Sequence, residues 1–274
     1  MDRWADTPYR VGISGWRYPP WRKVFYPEGL PQRAELEYAS RRLNSIELNG
    51  SFYSLQRPTS YQRWYDETPP GFVFSVKGPR FVTHLKKLAD VEAPLANFFA
   101  SGVLALADKL GPVLWQLPPT LAYDRDRLAA FFELLPRTTK GAITLAKGHD
   151  DRMEGRSLLT SPVDQPLRHA LEIRHQSYEN EEFLELLSEH DIAVVCADSA
   201  GKWPMLDSTT ADFGYVRLHG AEELYVSGYD DKALDAWAAK IQAWQRDVYV
   251  YFDNDVKVRA PFDAEALAGR LGIG

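Results

Sequence analysis

Along this chain, short runs in which every second side chain is apolar alternate with stretches of helical period, about eight times over. The runs lie at 9–14, 45–48, 72–77, 113–117, 168–175, 193–198, 215–219 and 248–253. Successive side chains of a strand point to opposite faces, so each run has two parities. One parity is apolar in nearly every run, as with Val11 and Ile13, Ile46 and Leu48, or Val216 and Leu218. The other parity ends in a polar residue: Ser14, Glu47, Lys77, Gln116, Glu172 with Arg174, Asp198, Arg217 with His219, and Asp253. Between the runs, helical spacing predicts helices at 32–43, 58–68, 98–110, 124–135, 142–153, 181–190, 231–246 and 263–271.

Eight strands separated by helices predict an α/β fold, a (β/α)8 TIM-type barrel in a single domain spanning the chain. The apolar parity then faces the surrounding helices, and the polar ends gather at the C-terminal rim. Residues 136–166, where the pattern loosens, read as an insertion before strand 5. A two-domain doubly wound alternative lacks a Gly-rich phosphate loop.

Composition narrows the class only a little. With 45% hydrophobic and 26% charged residues the chain reads as a soluble globular protein. It has no apolar run of membrane-spanning length and no signal-like start, and its single cysteine, Cys196, points to a reducing cytoplasm. A net charge of −6 gives no broad claim on nucleic acid, although it leaves room for a local basic cleft.

Several ordered motifs resemble the YecE-like family, also called domain of unknown function 72. They are Gly12-Ile-Ser-Gly-Trp16-Arg-Tyr-Pro-Pro-Trp21, Phe25-Tyr26-Pro27, Glu47-Leu-Asn49-Gly-Ser-Phe52-Tyr53, Gln116-Leu-Pro-Pro119, Glu172-Ile-Arg-His175, Arg217-Leu-His-Gly220 and Tyr251-Phe-Asp-Asn-Asp255. The resemblance runs from about residue 10 to about residue 265 and implies a TIM-type barrel. It implies no established reaction; a sugar-isomerase relationship attaches to the family by fold analogy.

The chemistry expected at the rim is mixed in charge. Glu172 is the carboxylate best suited to acid–base work, with His219 or His175 as its proton partner, and Lys77 and Asp253 complete the catalytic candidates. Trp16, Glu47, Asn49, Tyr53, Gln116, Arg174, His175, Asp198, Arg217 and Asn254 are the candidates for holding a ligand. Arginine and lysine suit a phosphate or carboxylate, carboxylates suit sugar hydroxyls, and flat aromatic faces suit sugar rings or bases. A small anionic or polyol ligand is therefore the expected partner. A divalent metal stays open as an alternative but is disfavoured by the cations Lys77, Arg174 and Arg217, so no metal ligands are assigned and the cofactor is left unknown. Two further readings remain: a nucleic-acid binder or repair-type hydrolase using Lys77, Arg80, Lys86 and Lys87, and a non-catalytic ligand-binding barrel. The plainest alternative is a structural ion network. Cys196 reads as a small buried filler, and His84, His149, His169 and His190 as loop or helix surface residues.

Overall fold

The structure, a computed structural model, describes Trp4 and residues 7–273. Eight strands, β1 (Tyr9–Ser14), β2 (Ser45–Leu48), β3 (Val73–Lys77), β4 (Leu110–Gln116), β5 (His169–Glu172), β6 (Ile192–Asp198), β7 (Phe213–Leu218) and β8 (Asp247–Phe252), follow one another around a closed barrel. The pairings of β1 with β2 and β8, β3 with β4, β4 with β5, β6 with β7 and β7 with β8 are parallel. This is the (β/α)8 TIM-type fold. The helices are α1 (Glu35–Ser40), α2 (Gly50–Tyr53), α3 (Pro58–Glu67), α4 (Glu92–Ala100), α5 (Arg125–Leu134), α6 (Thr139–Ala146), α7 (Glu181–Glu189), α8 (Asp231–Ala243) and α9 (Ala260–Arg270). None of the described helices is long and apolar enough to cross a membrane.

Contacts divide the chain into two compact units. The first holds the chain up to Glu47, Thr68–Val73 and the chain from Ala193 onward. Its register sets Gly12 beside Ser45 and Tyr251, Ser14 beside Glu47, and Arg217 beside Tyr251. Tyr215 Oη donates to Glu47 Oε2 at 2.7 Å, and the hydroxyls of Ser45 and Tyr251 meet at 2.7 Å. Side chains of non-neighbouring strands touch in this way only across the barrel interior, so this parity faces inward. The opposite parity, with Val11, Ile13, Ile46, Val216, Leu218, Val250 and Phe252, is buried on the outside, where α9 covers β1 and β8. Gly12 has no alternative: a Cβ there would lie 1.9 Å from the Ser45 carbonyl oxygen.

The second unit holds Leu48–Glu67 and Phe74–Ile192. Leu114 and Gln116 pair with Ala170 and Glu172 on the inner face; Trp115 pairs with Leu171 on the outer face. Trp115 meets Phe98 of α4 and Phe131 of α5 edge-on and donates from Nε1 to His169 Nδ1 at 3.2 Å. His169 Nε2 lies 2.8 Å from the Pro136 carbonyl, so Nε2 carries the proton. Burial holds this ring neutral, its pKa lowered to about 4. The surface position expected for His169 is therefore wrong: its parity in β5 is the outward, helix-covered one.

Three helical expectations change. The 32–43 stretch is a 3-10 turn, Gln32–Ala34, followed by the short α1. The 98–110 stretch is α4, then Gly102 at φ +107°, then a 3-10 segment Val103–Lys109 leading into β4. The glycine is required twice over, because a Cβ would also lie 2.4 Å from Pro58 Cα. The 142–153 helix is α6, capped by Thr138 Oγ1 on the Gly141 amide, and then one 3-10 turn, Asp151–Met153. The loose 136–166 segment is tied at its base, where Thr139 N donates to Gln165 O and Leu167 N to Arg137 O.

The face of β6 also needs correcting. Ala197 stands beside Arg217, and Cys196 and Asp198 stand beside Val216 and Leu218. Asp198 and Cys196 thus share the outward parity, not the inward one. Cys196 is buried, and burial pushes its thiol up to about 12.

Candidate functional site

In the first unit the site grows from Glu47 at the end of β2 and Arg217 in β7. Arg217 Nη2 donates to Glu47 Oε1 at 2.8 Å and Nε donates to Oε2 at 3.1 Å. Ser14 Oγ adds a bond to Oε1 at 3.0 Å, beside the Tyr215 bond to Oε2. Both side chains are 0% exposed. A buried ion pair persists only when its remaining polar capacity is satisfied in this way. Enclosed by one another, Glu47 and Arg217 offer a ligand no surface; this corrects their expected role as direct contacts.

What they hold is Asp253, just beyond β8. Its Oδ2 accepts from Arg217 Nη2 at 3.1 Å and lies 3.0 Å from His219 Nδ1, while the side chain stays 17% exposed. With a carboxylate as partner, His219 donates from Nδ1, and its ring is 0% exposed. Tyr18 donates to the Ser14 carbonyl. Burial first, then the charges of Asp253, Asp255 and Glu47, drive its phenol upward, so it stays protonated. Asp255 is raised to about 6 by burial and by Asp253. Trp203 and Tyr225 stand edge-on to the His219 ring, with centroids 6.3 and 5.4 Å away, and Trp16 is buried beneath Arg17.

The second unit carries its own cluster. Glu172, at the end of β5, accepts at Oε1 from Gln116 Nε2 at 2.8 Å and from Arg174 Nε at 2.9 Å. Its side chain is 1% exposed and that of Arg174 13%. Lys77, at the end of β3, places Nζ 4.5 Å from the centre of the Phe52 ring, which His84 and Tyr53 each meet edge-on at 5.1 Å. Burial lowers His84 to about 4, with Lys77, Arg174 and Arg80 pushing the same way against Glu172. His84 is therefore neutral at physiological pH, and it is half-buried, not a surface residue.

The family described as "Protein of unknown function DUF72" matches residues 10–274. The chain belongs to the DUF72 family. Among curated relatives, the UPF0759 protein YecE of Escherichia coli O157:H7 is 26% identical over 162 residues, which are 57% of this chain and 57% of that protein; the match thus spans little more than half of that relative. Among solved structures, a DUF72 family protein from Thermotoga maritima superposes with a TM-score of 0.77 at 26% identity, over 96% of this chain and 99% of that one. A D-psicose 3-epimerase structure with D-tagatose, from Clostridium cellulolyticum H10, shares the fold at TM-score 0.51 and 12% identity, over 94% and 96% of the two chains.

Other candidate residues of this DUF72 protein are occupied elsewhere. Asp198 accepts from Tyr229 Oη at 3.1 Å and from the Ala200 amide, on the outward side of β6. Asn254 is 0% exposed and donates to Ser227 O and Asp263 Oδ2, bracing the loop before α9. His175 caps the 3-10 turn Gln176–Tyr178 by accepting from Ser177 N. Asn49 precedes α2 without capping it, and its Oδ1 is buried with no hydrogen-bond partner. Among the described residues no three His, Cys, Asp or Glu side chains are placed to hold a metal ion.

From the sequence Asp255 has no assigned role, Tyr18 is expected only as one of the aromatic walls beside the rim, and His84 only as a surface residue. Asp255 could have been found from its Asp-x-Asp spacing with Asp253. Nothing in the local pattern marks the Tyr18 phenol or the half-buried His84, because, beyond burial, the charges acting on them come from far along the chain, Asp253 on Tyr18 and Arg174 on His84.

Proposed function

We propose that this DUF72 protein is an enzyme acting on a small sugar-like or phosphorylated polyol by proton transfer, with Asp253 and His219 as the acid–base pair. The observation that supports this most is the partly exposed Asp253 carboxylate held between the fixed Arg217 guanidinium and the His219 ring. Arg217 and Glu47 act as positioning residues. Pre-set donors of this kind need no rearrangement as charge develops, which is the main source of stabilisation in such reactions. Asp255, raised to about 6, adds a second carboxyl that can carry a proton near neutral pH. The loops after β7 and β8 are the part of a TIM-type barrel where active sites are built. Asp253 is 17% exposed and Glu172 1%, so Asp253 is the carboxylate a substrate reaches, and His219, 0% exposed, exchanges its proton through Asp253. The epimerase likeness speaks for the fold alone.

The test is proton exchange with solvent. The protein is incubated in D2O with a panel of ketoses, aldoses and their phosphates, and loss of the C–H signal beside the carbonyl is followed by proton NMR. One panel member is expected to exchange, with Asp253→Asn and His219→Asn each slowing exchange by about 10²–10⁴-fold. An unreactive panel, or an Asp253→Asn variant as active as its parent, would overturn the reading.

A further inference from the structure

After β3 the chain enters one turn wound with i to i+5 hydrogen bonding, Phe81–Leu85, in which Lys86 N donates to Phe81 O at 2.9 Å. That winding is rare and recurs at functional sites. Immediately beyond it Lys87, Leu88 and Asp90 hold φ of 49°, 69° and 50°. Non-glycine residues adopt this conformation at a cost, and such costs cluster at ligand-binding segments.

Arg80, Phe81 and Leu85, but none of the three positive-φ residues, wall a cavity of about 400 Å³, with α2 and the residues after it opposite. Small-molecule sites run to roughly 300–1,000 Å³. Tyr53, Phe81 and Leu85 line it while 72%, 36% and 61% exposed. Two arginines stand among them. Arg152 lies 5.8 Å from the Phe81 ring centre and 3.7 Å from Asp150. Arg80 forms no ion pair among the described residues. Nearby, burial first and then the charges of Lys77, Arg174 and Arg80 lower the pKa of His84, with Glu172 opposing.

We propose that this cavity binds a nucleotide, with its base stacked on Tyr53 and Phe81 and its phosphate held by Arg80. Aromatic rings stack on any base, and a guanidinium matches a phosphate through paired N–H donors. A simple sugar would leave its hydroxyls facing Tyr53, Phe81 and Leu85, whereas a base gains from each. The same chemistry is offered by a free nucleotide or by one nucleotide of a single strand.

Calorimetry with adenosine 5′-monophosphate, adenosine and inorganic phosphate, and fluorescence anisotropy with a labelled single-stranded oligonucleotide, test the assignment. Adenosine monophosphate is expected to bind once per chain and more tightly than adenosine or phosphate. Tyr53→Ala should weaken it about ten-fold or more, and Arg80→Ser should weaken the monophosphate but not adenosine. Both side chains are exposed, and an unchanged thermal melt confirms that the variants fold. Tighter binding of the oligonucleotide identifies a strand as the source, and tighter binding of the monophosphate a free nucleotide. Absence of binding to both, or affinities unmoved by both substitutions, overturns the site. Asp253→Asn leaves this binding unchanged, so it stands or falls separately from the proton-transfer reading.

Discussion

Arg217 and Glu47 set the terms for the residues around them, because neither has water to fall back on. Replacing Arg217 by Met leaves the Glu47 carboxylate buried without its main partner, so a loss of about 3–5 kcal/mol is expected in urea denaturation. Replacing both, Glu47→Leu with Arg217→Met, removes the charge as well as the partner and should cost less than the sum of the two single changes. Asp255 and His84 give opposite pH signatures. Asp255 is raised from 3.8 to about 6, so the native state binds the extra proton and stability falls as pH rises through that window. In Asp255→Asn that decline disappears, and the variant gains on its parent between about pH 4 and 6. His84 is lowered from 6.5 to about 4, so the unfolded state binds the extra proton and stability rises with pH over the same interval. His84→Gln should lose that rise. Melting midpoints taken every half pH unit separate the two slopes.

At the scale of strands and helices, backbone contact is what limits substitution. Gly12→Ala would drive a Cβ into the Ser45 carbonyl, and the expected result is a β1–β2 pairing too strained to fold stably, read as loss of the cooperative melt. Asn180 caps α7 by accepting from Phe183 N at 2.8 Å, and Asn180→Ala should cost about 1 kcal/mol in the same denaturation experiment. The strands were legible in the sequence because period-two alternation leaves an apolar parity that helices must cover, as with Val11 and Ile13. The β6 face was not legible: Ala193, Val195 and Ala197 are as apolar as Val194 and Cys196, so neither parity declares itself. Only the pairing of Ala197 with Arg217 decides it. The same limit applies to the site. Its carboxylates and cations are visible as polar strand ends, but which of them enclose each other, as Glu47 and Arg217 do, and which stay open, as Asp253 does, depends on partners 170 and 36 residues apart.

For the whole molecule, the two compact units are interleaved along the chain, with borders after Glu47, Glu67, Val73 and Ile192. Neither unit is one continuous segment, so a cut at any single border cannot release either of them as an independent fragment. Cys196, the chain's lone thiol, lies on the first unit's strand β6, fully enclosed and with its ionisation pushed up to about 12. A chromogenic disulfide reagent can react with it only after that strand has left its place and solvent has returned the thiol to its ordinary acidity. The protein therefore carries a built-in stopwatch for its own opening: in native buffer the colour should develop at the pace of structural breathing, and in concentrated urea one equivalent should appear within the mixing time.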